Sequence, residues 1–411
     1  MYDLCVIGGG VAGISAAISA ASFGMKVAIL EKEKKLGKKL YATGNGRCNL
    51  TNKYIDLEKC YNSNDDSYID FLENVIGYDA DNEVERFCES FGILTESIKD
   101  YVYPKSYQAS SVVWAMIDKL AELGVKIHFK TFIEEIQVVD NLYKLKASNE
   151  EFTCSQVIIA CGGKSYASLG GTDSGYMLAK ATGHSLTDIR PALCGLTSDD
   201  DITALSGVRT KAKISVYKND GYGHIVSEMG ELQITDYGIS GIMVFNVSSL
   251  VGKLIKNKTD HTISLDFLPN IDTGKIKTIY DSCKERTLVG FLNTFLNDKL
   301  ASYFVEKFHG NTKTRLKELD FYDVEELINE IKNYDITITG LKDFEQAQVC
   351  AGGVLLNQLS NKTLMSIHHE GLYFAGEVID IDGICGGYNI TFAMLSGKKA
   401  GESAYAKTKS N

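Results

Sequence analysis

The first residues of the chain show the clearest alternation between apolar and polar stretches. An apolar run at residues 2–7 is followed by three glycines and by a helical pattern of small residues at 14–23. A second apolar run at residues 26–30 ends in Glu31. Short continuous apolar runs on either side of a helix are typical of buried parallel strands. The pattern therefore predicts a strand, a tight turn, a helix and a second, parallel strand.

Farther along, the pattern predicts a helical region and then a group of strands. Residues 53–100 are mostly helical and polar, and residues 110–123 predict a helix capped by Ser110 or Ser111. A continuous apolar run at residues 156–160 predicts a buried strand that returns to the first sheet. Alternating segments predict the strands of a meander at residues 125–129, 133–139, 142–147 and 152–154.

The second half of the chain changes character twice. Short alternating segments from 195 to about 268 predict a β-rich insertion, and residues 271–332 are helical, with apolar residues between 288 and 300 on one face. A last buried strand at residues 372–375 precedes a closing helix at 389–399. The organisation is therefore discontinuous, with pieces of the first sheet at both ends of the chain and one long insertion between about 195 and 345.

The glycines after the first strand have the spacing of a dinucleotide-binding turn. Gly8 permits the sharp turn, Gly10 lets the backbone approach a pyrophosphate, and Gly13 lets the helix pack on the strand. The N–H groups at the start of the helix, at Val11 and Ala12, face the phosphates. Glu31 is placed to accept hydrogen bonds from a ribose.

Composition narrows the classes of function. A net charge of −10 argues against a nucleic acid or an anionic membrane as partner. The strand at residue 2 leaves no room for a targeting peptide, and no apolar run reaches transmembrane length. The ten cysteines include no C-x-x-C pair, so we expect no metal cluster and no disulfide framework. These features predict a cytoplasmic enzyme, and they do not predict its oligomeric state.

A second glycine-rich stretch at residues 37–52 is too rich in Gly and Asn for a helix or strand. Its glycines let the backbone lie flat beside a ring, and Asn45 and Asn49 offer uncharged amides. Arg47 either contacts a phosphate or that ring, or belongs to a buried structural pair. We interpret Cys48 as a packing residue, because no partner cysteine at a redox spacing accompanies it.

The end of the chain favours FAD over NAD as the bound dinucleotide. Gly376-Glu377 follows a buried strand, and in flavoproteins of this architecture such a returning strand brings an acid to the ribityl or pyrophosphate region. The glycines before Asn389 place the start of the last helix near the flavin ring, where its N–H groups stabilise negative charge. The alternative is a plain glycine turn with an Asn cap.

Several other side chains have more than one interpretation. Lys39 faces either the pyrophosphate or solvent, with solvent as the default. His184 follows a helix end, where charge–dipole pairing is a sufficient structural role. Tyr103, Tyr166 and Tyr388 are either proton donors, substrate-facing walls or structural residues.

The chain closely resembles the BaiN-like (BaiN/RdsA) family of FAD-dependent oxidoreductases, in family order over nearly its whole length. It departs from the family pattern at Cys161, Ala351 and Cys385, where threonine is more usual, and at Ile242, where proline is more usual. The motifs that carry the resemblance are VIGGGVAG (6–13), GKKLYATGNGRCNLTN (37–52), ACGGKSYASLGGTDSGYMLAKATGHSL (160–186), GELQITDYGISG (230–241), AGGV (351–354) and GLYFAGEVIDIDGICGGYNITFAMLSG (371–397).

The resemblance implies an α/β fold in three parts. An FAD-binding Rossmann domain of the glutathione-reductase-like type (1–194 and 346–411) carries an inserted β-barrel domain (195–270 and 333–345), which itself carries a small helical domain (271–332). The residues expected to bind the cofactor are Gly8, Gly10, Val11, Ala12, Gly13, Glu31, Lys32, Lys39, Thr43, Gly44, Asn45, Gly46, Arg47, Cys48, Asn49, Cys161, Gly162, Gly163, Gly376, Glu377, Gly387, Tyr388, Asn389 and Ile390.

The function that the resemblance implies is hydride transfer through flavin N5 to an enone C=C bond of a 3-oxo steroid or bile-acid-like small molecule. No second dinucleotide fingerprint follows a strand, so NAD(P)H as reductant must dock transiently over the flavin, or another donor serves. The alternatives are an oxidase of a small amine or amino-ketone and a non-enzymatic flavin-binding module.

Overall fold

The computed structural model describes residues 1–219 and 223–410, which divide into two compact units. Unit 1 comprises Met1–Pro191 and Ala347–Asn411, and unit 2 comprises Ala192–Gln346. The finer, three-part division of the sequence stays a prediction. None of the helices in the described ranges combines the length and the apolar character needed to cross a bilayer.

The elements follow the chain in this order. The first stretch contains β1 (Tyr2–Ile7), α1 (Val11–Ser22), β2 (Val27–Glu31), β3 (Thr51–Asn52), α2 (Leu57–Cys60), β4 (Tyr61–Asn62), α3 (Tyr68–Val75), α4 (Ala80–Ser90), β5 (Thr95–Ile98), β6 (Tyr101–Pro104), α5 (Ala109–Glu122), β7 (Lys126–Phe129), β8 (Ile133–Val139), β9 (Leu142–Ala147), β10 (Glu151–Ile159), α6 (Ser174–Ala181) and β11 (Arg190–Ala192). The middle contains β12 (Leu196–Ser198), β13 (Arg209–Lys218), β14 (Gly223–Ile234), β15 (Gly238–Ser240), α7 (Ile242–Lys256), β16 (His261–Asp266), α8 (Thr273–Ser282), α9 (Leu288–Leu292), α10 (Asp298–Phe308), α11 (Phe321–Lys332), β17 (Tyr334–Ile336) and β18 (Ile338–Leu341). The end contains β19 (Val349–Ala351), β20 (Leu372–Phe374), β21 (Asp382–Gly383) and α12 (Tyr388–Ser410).

Unit 1 is built on a parallel sheet in the order β7-β2-β1-β10-β20. All five residues of β2 and the last four of β1 are buried, as their continuous apolar runs require. The antiparallel strands β9 and β8 continue from the first half of β10. The predicted opening unit, the returning strand at 156–160 and the late buried strand are thereby confirmed.

Some element predictions were wrong. The strand predicted at 125–129 pairs in parallel with β2 and so belongs to the Rossmann sheet, not to a meander. The segments at 152–154 and 156–160 form the single strand β10, whose first half pairs with β9 and whose second half pairs with β1. Residues 53–100 contain strands as well as helices.

Two helix predictions also need correction. Helix α5 begins after Gln108, which makes no side-chain capping hydrogen bond, so Ser110 and Ser111 lie inside its first turn and do not cap it. The Ser111 hydroxyl donates to the Gln108 carbonyl at 2.8 Å. The apolar face between 288 and 300 belongs to two helices, since the Asn297 side chain accepts from Lys299 N and starts α10 anew. The closing helix α12 extends well beyond residue 399.

The two ends of unit 1 meet where α12 packs on α1. A Cβ at Gly397 would lie 2.2 Å from the Ala12 carbonyl oxygen, and one at Gly401 would lie 2.3 Å from the Ala16 carbonyl oxygen. Only glycine permits so close an approach of two helix backbones. This contact brings the last residues of the chain to the glycine turn at its beginning.

Unit 2 combines an antiparallel sheet with helices α7 to α11. Its seven strands run in the order β17-β16-β13-β14-β15-β12-β18. The helices and the sheet share one apolar core, in which the rings of Phe267, Phe304 and Tyr334 lie with centroids 5.5–6.0 Å apart. Aromatic edge-to-face contacts at such distances stabilise a packed core.

Candidate active site

The glycine turn between β1 and α1 is closed tightly on its inner side. Gly8 has a φ of +106°, and a Cβ there would lie 2.4 Å from the Ala160 carbonyl oxygen. A Cβ at Gly13 would lie 1.9 Å from the carbonyl oxygen of Gly8. Both positions therefore require glycine, for the turn and for the contact between helix and strand.

The outer side of the same turn is open. No described atom lies within 4 Å of the position that a Cβ on Gly10 would take. No side chain caps α1, so the first N–H groups of the helix, including those of Val11, Ala12 and Gly13, have no side-chain acceptor at the cap. An open backbone surface with unpaired N–H donors fits a pyrophosphate.

Glu31 ends β2 with its carboxylate held by two backbone N–H groups. Gly9 N donates to one oxygen at 2.5 Å and Glu33 N donates to the other at 2.7 Å. The residue is 7% exposed. The Lys32 ammonium lies 3.7 Å from the Glu33 carboxylate. Glu31 thus lies beside the glycine turn, and its contact with a ribose stays a prediction.

Lys39 is held by other side chains and is not simply a solvated lysine, which was the default interpretation of the sequence. Its ammonium donates to the Glu377 carboxylate at 2.9 Å and to the Ser165 hydroxyl at 2.9 Å. Glu377 also accepts from Cys350 N at 2.9 Å. The Glu377 carboxylate therefore joins three stretches that are far apart in sequence.

The stretch at 43–49 has an unusual backbone. The left-handed region is occupied by Gly44, Asn45, Gly46 and Cys48, with φ between 54° and 82°. The hydroxyl of Thr43 donates to the Leu40 carbonyl at 2.7 Å. Non-glycine residues in this region cost free energy and gather at functional sites. The Asn45 side chain is exposed.

Three neighbouring side chains in this loop differ in their surroundings. Arg47 is exposed, so the buried structural pair considered for it is wrong. Cys48 is fully buried, and burial raises the pKa of its thiol to about 12, which supports its interpretation as a packing residue. The Asn49 side-chain oxygen is buried and has no hydrogen-bond partner within the described residues. Such an orphaned acceptor fits a ligand that carries N–H donors.

The glycines after β10 adjoin the Glu377 cluster. A Cβ at Gly163 would lie 2.9 Å from both the Cys350 sulfur and the Glu377 carboxylate. Gly162 has a φ of +72°. Burial raises the pKa of the Cys161 thiol to about 12 and that of Cys350 to about 11, so both are neutral thiols at neutral pH.

The C-terminal turn completes the site. Gly376 has a φ of +74°, and a Cβ there would lie 2.7 Å from the Cβ of Ala12 at the start of α1. A Cβ at Gly387 would lie 2.9 Å from the backbone of Thr51, just after the 43–49 loop. The turns at both ends of the chain and the second glycine-rich stretch are therefore neighbours.

The first residues of α12 are fixed by backbone contacts. The Asn389 amide accepts from Gly383 N at 2.9 Å and donates to Gly383 O at 2.7 Å. Tyr388 is buried, and burial raises the pKa of its phenol. Ile390 is half-buried against the core. These side chains shape the turn at the start of α12.

His184 is a buried neutral histidine and not a charged helix partner. Burial is the main cause that lowers its pKa, from 6.5 to about 4. Its ring nitrogens lie 3.1 Å from the Thr182 hydroxyl and 2.8 Å from the Ser366 hydroxyl. The predicted charge–dipole role was therefore wrong, although the structural assignment holds.

Sequence reasoning missed three residues of this site. Ser165 and Cys350 belong to the Glu377 cluster, and Asn52 donates to the Gly386 carbonyl at 3.2 Å. Ser165 and Asn52 lie inside motifs that carry the family resemblance, which is the signal that could have singled them out. Cys350 directly precedes another such motif, which begins at Ala351.

Comparison with known proteins decides the family. The family model described as the HI0933-like protein Rossmann domain matches residues 2–403. The chain belongs to this family. The resemblance to BaiN-like oxidoreductases seen in the sequence is thereby confirmed.

Two relatives align over nearly the full chain. The 3-dehydro-bile acid delta(4,6)-reductase of Clostridium scindens is 38% identical, with 98% of this chain and 99% of the relative covered. The ribosomal RNA dihydrouridine synthase of Haemophilus influenzae is 26% identical, with 95% of each covered. The chain is thus an FAD-dependent oxidoreductase.

A solved structure supports the fold. The open conformation of a flavocytochrome c3 fumarate reductase has a TM-score of 0.52 and 14% identity, covering 98% of this chain and 78% of that one. This likeness shows a Rossmann-type α/β fold.

Proposed function

We propose that the protein reduces a C=C bond conjugated to a carbonyl in a 3-oxo steroid or bile-acid-like small molecule, with NAD(P)H as electron donor. The observation that carries this proposal is the 38% identity, over 98% of the chain, to a 3-dehydro-bile acid delta(4,6)-reductase. This alignment extends over nearly the whole chain, and not only over a nucleotide-binding motif.

The chemistry of the second relative supports the same reaction class. A dihydrouridine differs from uridine by two hydrogens added across a C=C bond that is conjugated to a ring carbonyl. Both names therefore describe reduction of an enone, although one substrate is a small molecule and the other is RNA. We infer that the enone is the feature that the two reactions have in common.

The described residues fit FAD, which when bound supplies hydride transfer. The glycine turn and α1 would hold the pyrophosphate and Glu31 the ribose. Lys39 and Glu377 would lie along the middle of the cofactor. The 43–49 loop and the start of α12 would adjoin the ring, where the orphaned Asn49 oxygen accepts an N–H donor.

We propose the finer architecture in the same terms. The FAD domain comprises 1–194 and 346–411, the β-barrel domain 195–270 and 333–345, and the helical domain 271–332. The antiparallel seven-stranded sheet of unit 2 and its helices α8 to α11 support the assignment of barrel and helical parts. Unit 1 alone would then carry the cofactor.

A small molecule suits this chain better than RNA does. Proteins that bind RNA neutralise backbone phosphates with Lys and Arg, and this chain has 43 such residues against 53 Asp and Glu. The net charge of −10 gives no long-range attraction for a polyanion and repels it within about 8–10 Å, the screening length at physiological salt.

The experiment offers the FAD-loaded protein three kinds of substrate. A 3-oxo-Δ4 steroid and a uridine-containing ribosomal RNA fragment are each supplied with NADH or NADPH in the absence of oxygen. A panel of small amines is tested separately with oxygen present. The expected result is nucleotide oxidation coupled to a steroid that gains two hydrogens. Reduction of the RNA alone, or peroxide release from amines with no NAD(P)H consumption, would refute the proposal.

A further inference from the structure

The structure separates the three tyrosines that the sequence left as proton donors or walls. Tyr388 is 4% exposed and its hydroxyl donates to the Tyr54 carbonyl at 2.9 Å. A phenol that is buried and already donating has no proton to offer a substrate. Tyr388 is therefore structural.

Tyr166 lies close to the stretch around Glu31. Its carbonyl accepts from Gly171 N, and a Cβ on the adjacent Gly170 would lie 3.5 Å from the Glu33 side chain. Glu33 N in turn donates to the Glu31 carboxylate. Tyr166 thus belongs with the residues assigned to the ribose.

Tyr103 lies in β6, the strand that pairs with β3 and its residue Asn52. In β6 the side chain of Val102 is fully buried, so Tyr101 and Tyr103 lie on the opposite face of the strand. Asn52 is the cross-strand partner of Tyr101 and shares that face. Because the Asn52 amide donates to the Gly386 carbonyl at 3.2 Å, this face adjoins the Gly386-Gly387 turn.

The hydroxyl of Tyr103 differs from that of its neighbour Tyr107. Tyr107 donates to the Glu96 carboxylate, and this hydrogen bond is the main cause that raises its pKa. The Tyr103 hydroxyl makes no hydrogen bond within the described ranges, and its ring is half-buried 5.9 Å from that of Tyr107. The ring is therefore supported while its O–H remains available to a ligand.

We propose that the Tyr103 hydroxyl protonates the α-carbon of the bound enone. This inference rests on the proposed function. Hydride adds to the β-carbon, the π electrons of the C=C bond move toward the carbonyl, and a C–H bond forms at the α-carbon as the Tyr103 O–H bond breaks. NAD(P)H is oxidised, the enone is reduced, and water returns a proton to the phenolate. A general acid so placed contributes about 100-fold or more to the rate.

The test compares Tyr103→Phe with Tyr107→Phe, a matched loss of one hydroxyl from a neighbouring tyrosine. Two rates are measured separately on the FAD-loaded proteins without oxygen: reduction of the flavin by NAD(P)H, and its reoxidation by the 3-oxo-Δ4 steroid. We expect Tyr103→Phe to keep the first rate within about twofold and to lose about 100-fold in the second. Tyr107→Phe keeps both rates, and the pH dependence of reoxidation seen in wild type disappears only in Tyr103→Phe.

Three results are decisive against this role. Wild-type reoxidation in Tyr103→Phe would show that another group supplies the proton. Equal losses in both rates, or lost FAD binding, would show that Tyr103 supports the fold or the cofactor. If the wild-type protein itself reduces no enone, the proposed function fails. This outcome can be told apart from a failure of the Tyr103 proposal alone, because the first two results require an active wild type.

Discussion

Gly10 offers a direct way to separate folding from cofactor binding. Replacing Gly10 with Ala adds one methyl group to the open side of the glycine turn. Its φ of −79° and ψ of −176° are accessible to alanine, and no described atom lies within 4 Å of the added carbon. Gly13→Ala is the matched comparison, because its added carbon would lie 1.9 Å from the Gly8 carbonyl oxygen.

The expected magnitudes follow from these contacts. Alanine is a poorer helix cap than glycine, so Gly10→Ala should lower the free energy of unfolding of the apoprotein by no more than about 1 kcal/mol. The same methyl group occupies the surface where a pyrophosphate approaches the backbone, so the Kd for FAD should rise at least about tenfold, or about 1.4 kcal/mol. Gly13→Ala forces the helix off the strand and should cost about 3 kcal/mol or more in stability.

Urea unfolding of the apoproteins and FAD titration followed by flavin fluorescence give both quantities. The reasoning is refuted if Gly10→Ala binds FAD as tightly as wild type. It is also refuted if Gly10→Ala is as unstable as Gly13→Ala, because the turn would then be closed on both sides.

Three further outcomes follow from the same geometry. Cys48→Ala should leave the rates of flavin reduction and reoxidation unchanged, because the thiol is buried and neutral; a loss of turnover in a folded variant would make it a redox residue. In urea titrations, Lys39→Met should lower the free energy of unfolding by about 1 kcal/mol more than Lys38→Met does. The reason is that Lys39 pairs with Glu377, which is less exposed than Glu33, the partner of Lys38. Equal losses in the two variants would contradict this. The His184 pKa of about 4 lies below its unfolded value of 6.5, so the unfolded chain binds more protons than the folded chain between these pH values. The free energy of unfolding should therefore fall by about 2 to 3 kcal/mol as the pH drops from 6.5 towards 4. His184→Gln should lose this pH dependence, and a variant that keeps it would disprove the reasoning.

The opening strand, the glycine turn and the last buried strand were predictable because their signals are local. A continuous apolar run reports burial on both faces of a strand, and glycines at Gly8 and Gly13 report backbone contacts that no other residue permits. The changes of pattern along the chain predicted the discontinuous organisation, and the family resemblance added its three-part form.

Other features depend on contacts between distant segments. The Lys39–Glu377 pair joins residues on either side of unit 2 in the sequence, and no local pattern distinguishes it from a solvated lysine. The charge state assumed for His184 was wrong because its burial comes from packing against Phe374 and the His368 ring. The break between α9 and α10 depends on one capping asparagine, Asn297.

The reaction itself is tested most directly by a single turnover. The FAD-loaded protein is reduced chemically without oxygen, freed of reductant and mixed with a 3-oxo-Δ4 steroid, and flavin absorbance and steroid mass are followed together. We expect the oxidised flavin spectrum to return as the steroid gains two hydrogens, whichever nucleotide serves in the cell. A flavin that stays reduced beside unchanged steroid, and recovers only when oxygen is admitted, would contradict the assignment of this protein as an enone reductase.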